Sequence, residues 1–135
     1  MQTKKDLLKW YDEDYCLKIV KQDGLMIQYV KNQTDQICLE AVKQYGETLE
    51  YVSNQTEKIC LEAVKQNGCA LQYVNNQTDE ICLDAVKQND YVLKYVNNQT
   101  INICSEALNQ NIKAIKYIDV KKFLELYEKY LFMIK

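Results

Sequence analysis

The stretch Asn54-Gln55-Thr56-Glu57-Lys58-Ile59-Cys60-Leu61-Glu62-Ala63-Val64-Lys65-Gln66-Asn67-Gly68-Cys69-Ala70-Leu71-Gln72-Tyr73-Val74-Asn75 decides the fold, because it recurs on both sides of itself at an interval of 22 residues. Asn-Gln-Thr stands at 32–34, 54–56, 76–78 and 98–100; Cys at 16, 38, 60, 82 and 104; Tyr at 29, 51, 73, 95 and 117. A period of this size marks a solenoid, in which no unit buries its apolar face alone and stacked neighbours build one continuous core.

Within a unit, Ile37, Cys38, Ala41, Val42 and Tyr45 follow Thr34 at offsets that share one helical face, which predicts a first helix. Thr34, Thr56, Thr78 and Thr100 are its natural N-caps; Asp35, Glu57 and Asp79 complement the positive end, and Lys43, Lys65 and Lys87 the negative end. Gly24, Gly46 and Gly68 are expected to stop the helix in left-handed geometry, with Asp90 and Ile112 in their place later. The second half, Met26-Ile27-Gln28-Tyr29-Val30 and its counterparts, is apolar at offsets that fit a second, short helix held by its neighbours. A strand of a leucine-rich-repeat-like horseshoe is the competing reading.

The edges of the repeat differ. Moved forward by one repeat, Leu7-Leu8 falls on Tyr29-Val30, so the stack begins mid-unit, with Trp10 and Tyr11 in the places of Asn and Gln and Asp12 in that of Thr. After Ile118 the repeat fails, and 119–134 reads as a longer helix that no Gly or Pro separates from 114–117. The expected architecture is an all-α solenoid of either hand in a single domain. It comprises an N-terminal half-repeat and cap at 3–11, five helix-turn-helix units at 12–119 and a C-terminal cap helix at 120–135. With helices packing about 8–10 Å apart, the stack is on the order of 50 Å long.

Composition narrows the function classes. With 135 residues, 47% hydrophobic and 27% charged, the chain can bury a core of its own, and its net charge of −2 creates no bulk field for nucleic acid or an acidic membrane. It has no His, Pro or Arg, and all 17 basic residues are Lys. The bidentate fork for phosphate or guanine is therefore missing, as are the commonest general base and zinc ligand, although an AT-rich coding genome also favours such a composition. No metal, cofactor, nucleic acid or membrane partner is expected. The first residues lack the apolar run of a secretory signal, so the chain is expected inside the cell.

The unit Asn-Gln-Thr-x-x-Ile-Cys-Leu-Glu-Ala-Val-Lys-Gln-Asn-Gly-x-x-Leu-x-Tyr-Val resembles the short tandem repeats of a domain family of unknown function that is abundant in mimivirus and related giant viruses, over about Asp12 to Asp119. The resemblance implies a viral repeat protein, in host cytoplasm or virion, and brings no activity, cofactor or catalytic residue with it.

Several columns invite a functional reading. Five cysteines spaced by 22 match no zinc pattern and lie on the core side of the helix, so they read as small buried hydrophobes, reduced and unbridged. Cys69 stands outside the column and is the thiol expected to be accessible; a thiol enzyme built on it is a third reading, and it would need activation without His. Asn-Gln-Thr is formally a glycosylation acceptor, but Asn is expected to close one helix in left-handed geometry and Thr to cap the next. The Tyr column reads as a half-buried ladder. The pairs Lys43-Gln44, Lys65-Gln66 and Lys87-Gln88, with Glu40, Glu62 and Asp84 three residues before each Lys, form a polar stripe that is either a solvated face or a possible interaction surface.

In the last helix Val120, Phe123, Leu124, Tyr127, Leu131 and Ile134 form the stripe expected to cover the fifth unit. Leu126, Tyr130 and Met133, with Phe132, form a second stripe expected to pair in a homodimer or dock a partner. The sequence thus predicts a non-enzymatic scaffold for protein–protein interaction, with a structural, self-assembling component as the alternative.

Overall fold

The computed structural model describes residues 2–134, and of Tyr130 only the backbone. Five units follow one another, each an α-helix of 10 residues and a 3-10 helix of six: α2 (Glu13–Gln22), α3 (Asp35–Gln44), α4 (Glu57–Gln66), α5 (Asp79–Gln88) and α6 (Ile101–Gln110), with 3-10 helices at Gly24–Tyr29, Gly46–Tyr51, Gly68–Tyr73, Asp90–Tyr95 and Ile112–Tyr117. Before them come α1 (Lys4–Leu8) and a single 3-10 turn, Lys9–Tyr11; after them comes α7 (Val120–Ile134). Each α-helix packs on the next α-helix and each 3-10 helix on the next 3-10 helix, so the units stack in parallel as two layers. The chain is an all-α solenoid, with no strand among the described residues.

The core lies between the layers. From a central unit it takes Ile59, Cys60, Ala63 and Val64 of the α-helix, Ala70 and Leu71 of the 3-10 helix and Val74 beyond it, all buried, and the same positions repeat along the stack. The offsets in the second half fit α and 3-10 geometry alike. The tighter helix is used because Leu71 and Val74, three residues apart, eclipse on a three-residue turn and both reach the core, while Tyr73 stays half-buried.

Thr34, Thr56, Thr78 and Thr100 cap their helices as expected, each hydroxyl accepting from the third residue on at 3.3–3.4 Å, and Asp12 does the same from Tyr15 at 2.7 Å. The helix stops are not left-handed. No described residue, Gly or other, has positive φ; Tyr45, Asn67 and Asn89 end their helices in extended geometry, and the glycine opens the 3-10 helix that follows. Gly is needed for closeness instead. A Cβ on Gly68 would stand 2.9 Å from the Ala85 carbonyl oxygen of the next unit, one on Gly24 3.1 Å from that of Ala41, and one on Gly46 would overlap that of Ala63. Asn32, Asn54, Asn76 and Asn98 are likewise not left-handed.

The two ends bear differently on the reading of the edges. Trp10 packs half-buried on the first unit, edge-to-face with Tyr15 at 5.7 Å and tilted on Tyr29 at 5.4 Å, as a cap should. At the other end the last 3-10 helix and α7 are separate elements: the chain bends at Ile118 and Asp119 caps α7, its carboxylate accepting from the Lys122 amide at 3.2 Å. The stripe expected to cover unit five largely faces solvent, since Val120, Leu124, Tyr127, Leu131 and Ile134 are exposed. Of that stripe Phe123 packs on the core, and Leu126, three residues on, is half-buried, so contact comes from the edge of the stripe that Phe123 shares with Leu126. Among the described residues no helix is long and apolar enough to cross a membrane.

Candidate interaction surfaces

The second residue of Asn-Gln-Thr is what joins the units. Gln55 donates from Nε2 to the Tyr73 carbonyl at the end of the next 3-10 helix, 18 residues on, at 2.8 Å and accepts at Oε1 from the Asn75 backbone amide at 2.9 Å. Gln33 treats Tyr51 and Ser53 the same way, Gln77 treats Tyr95 and Asn97, and Gln99 treats Tyr117 and Asp119, all at 2.7–2.9 Å. Each amide thus acts as an added peptide group that satisfies the backbone just where the next 3-10 helix ends.

The Cys column completes this bracket. Cys38, Cys60 and Cys82 each approach the same Gln oxygen at 3.6–3.8 Å as weak S–H donors. Burial, with Asp35 and Asp79 at second place beside the first two, pushes the Cys38, Cys82 and Cys104 thiols up to about 11 from the usual 9.0. These cysteines are free and buried, and burial holds their thiols above the usual range, which favours the protonated form at neutral pH.

A second bracket works at the other end of the α-helices. Gln44 donates to the Val20 carbonyl of the preceding unit at 2.8 Å and accepts from the Gly24 amide at 3.0 Å; Gln66 accepts from Gly46 at 2.6 Å, and Gln88 donates to Val64. Gln44, Gln66 and Gln88 therefore take part in stacking, and Gln66 and Gln88 are at the same time exposed. Lys43, Lys65 and Lys87 remain exposed, and of the expected ion pairs the described residues form Lys65 with Glu62, at 4.0 Å. The sequence carried a signal for both brackets: a Gln at the same place in every full unit. The partner, however, lies 18–24 residues away.

Beyond the two Gln columns, three surfaces stand out. That of α7 is the most apolar: Phe132 is 84% and Met133 82% exposed near its end, and Leu124, Tyr127 and Leu131 are exposed on another face of the same helix. Leu126, grouped with Met133 in the sequence, instead lines a hollow of about 360 Å³ with Asp79, Asn98 and Thr100, next to the Lys122 ammonium, which donates to Asn98 at 2.8 Å. The side chain of Tyr130, the fourth member of that expected stripe, lies outside the described residues. The second surface is the Asn edge, where Asn54 lies between two hollows of about 330 and 250 Å³ lined by Asn32, Asn76, Glu57 and Asp35. The third is the outer side of the 3-10 layer, which carries the Tyr column, half-buried from Tyr73 onward.

Cys69 is half-buried, more open than the column, and its sulfur meets the Tyr91 hydroxyl at 2.6 Å. That contact raises the Tyr91 phenol above its usual range, with burial second.

Residues 12–56, 34–78 and 56–101 each match the family described as Domain of unknown function (DUF4116). The chain belongs to this family. Each match begins at a cap, Asp12, Thr34 or Thr56, and runs through two units, so the DUF4116 sequence unit is a pair of stacked repeats. No curated protein and no solved structure matches the chain.

Proposed function

We propose that this DUF4116 chain, residues 1–135 folded as a single repeat domain, is a non-enzymatic scaffold that holds a protein partner. The observation that supports this reading is a division of labour along the stack. The Ile, Cys and Ala columns of the α-helices and the Gln of the Asn-Gln-Thr junctions keep one residue type through units two to five, whereas the outward positions of the 3-10 layer read Glu47, Cys69, Tyr91, Lys113 and Glu50, Gln72, Lys94, Lys116. A rigid stack presenting a graded outer face is suited to recognition over an extended surface. Within this proposal the chain acts in an infected host cell or a virion, a setting suggested only by the resemblance of its repeats to those abundant in giant viruses. The second reading, a self-assembling component, draws on α7, whose exposed Phe132, Met133 and Leu131 exceed what a capping helix needs and would pair in a homodimer or receive a partner.

Affinity capture of the tagged full chain from the cells that make it, followed by reconstitution from purified components, tests the two. A foreign protein that reconstitutes with the chain at fixed stoichiometry supports the scaffold; recovery of this chain alone favours self-assembly. Turnover of a thiol-reactive substrate that is lost in Cys69→Ala would overturn both.

A further inference from the structure

Charge is segregated along the Tyr-bearing face. Unit two carries Glu47 and Glu50, unit three the uncharged Cys69 and Gln72, unit four Lys94, and unit five Lys113 and Lys116. The acids stand beside the aromatic column: Glu50 and Glu47, after burial, raise the Tyr73 phenol, and Glu47 also accepts from the Asn67 amide. At the far end the lysines lie over the rings, Lys94 at 4.8 Å from the Tyr95 centroid and Lys116 at 4.9 Å from that of Tyr117. Between units four and five opens a hollow of about 220 Å³ lined by Tyr91, Tyr117, Lys113 and Lys116, with Asp90 as its one acid. Two ammonium groups and two rings around one carboxylate leave the hollow fitted for a further carboxylate.

Going beyond the scaffold reading, we propose that the occupant is a second copy of this chain, laid antiparallel on the same face, so that Glu47 and Glu50 of each copy meet Lys113 and Lys116 of the other. The chain cannot satisfy the hollow itself, because its own acidic pair lies three units away, on the order of 30 Å at ordinary helix spacing. A twofold axis between units three and four sets unit two against unit five and unit three against unit four. Both charged ends are then matched at once, the self-complementarity an isologous dimer requires. A parallel arrangement would set like charges together. Unit one falls outside the overlap, and there Tyr29 is already engaged by Trp10. Tyr51, Tyr73, Tyr95 and Tyr117 supply the amphipathic aromatic area that interfaces favour.

Sedimentation of the full chain up to about 0.1 mM, where even a weak dimer forms, tests this with Glu47→Lys/Glu50→Lys, Lys113→Glu/Lys116→Glu and the combination of all four. The four positions are exposed, and a thermal melt by circular dichroism checks that each variant folds. The wild type should dimerise and weaken with salt, each double variant should weaken pairing about tenfold or more, and the fourfold variant should recover it. A wild type that stays monomeric, or a dimer untouched by either double reversal, overturns the proposal. A monomer that still reconstitutes with a foreign protein would remove self-pairing and leave the scaffold reading standing; a chain that binds neither would remove both.

Discussion

Replacing Gln77 by Ala removes one complete bracket at the centre of the stack. Its Nε2 donates to Tyr95 at 2.9 Å and more weakly to Leu71 at 3.3 Å, and its Oε1 accepts from Asn97 at 2.9 Å and from the Cys82 thiol at 3.6 Å. Two good hydrogen bonds at about 1 kcal/mol each, with the partly buried carbonyls left short of a donor, give a loss of about 2–3 kcal/mol. Because adjacent-unit coupling carries much of a repeat protein's cooperativity, the urea transition should also broaden. Gln72→Ala is the matched control: that amide reaches only Cys69 in its own turn, at 3.1 Å, and its loss should stay within about 0.5 kcal/mol. Urea unfolding followed by circular dichroism measures both. Equal stabilities for the two variants would refute the assignment of Gln77 as a coupling residue.

Other substitutions probe other joints. Gly46→Ala should destabilise by about 1–3 kcal/mol through overlap with the Ala63 carbonyl, more than Gly24→Ala, where the approach is 3.1 Å; the reverse order in thermal melts would contradict the close-packing role. Thr78→Ala should lose about 1 kcal/mol, since only its hydroxyl caps the Ile81 amide of α5. Alkylation of the native protein should modify Cys69 first, the five buried cysteines following only on unfolding; uniform labelling by mass spectrometry would be the adverse result. Thiols held up to about 11 from 9.0 keep protons that the unfolded chain releases, so their contribution to stability is full below pH 9.0 and is lost as pH rises toward 11. Cys38→Ala/Cys82→Ala should flatten that alkaline decline in urea titrations.

What the sequence made legible was local. Thr caps act within four residues and the Cys column sits on an α-helical face, so both could be read from one unit. Gly68 could not be resolved, because a left-handed stop and a close approach ask for the same residue, and only the Ala85 carbonyl of the next unit distinguishes them. The Gln55 bracket was hidden for a related reason: its partners Tyr73 and Asn75 lie 18 and 20 residues on, and only the stacking of one 3-10 helix on the next brings them beside it. For α7 the sequence offered two apolar stripes, and which side docks depends on the bend at Ile118, the Asp119 cap and the anchor from Lys122 to Asn98, none of which has a periodic signature.

Amide exchange followed residue by residue tests the bracketed stack most directly. Ser53, Asn75, Asn97 and Asp119 are exposed residues, yet their amides donate to Gln33, Gln55, Gln77 and Gln99 at 2.9 Å, while the neighbouring Asn54, Asn76 and Asn98 amides reach no acceptor among the described residues. The account predicts slow exchange at the first set and fast exchange at the second, with Asn97 released in Gln77→Ala. Fast exchange at both sets alike would show that the glutamines do not join the units.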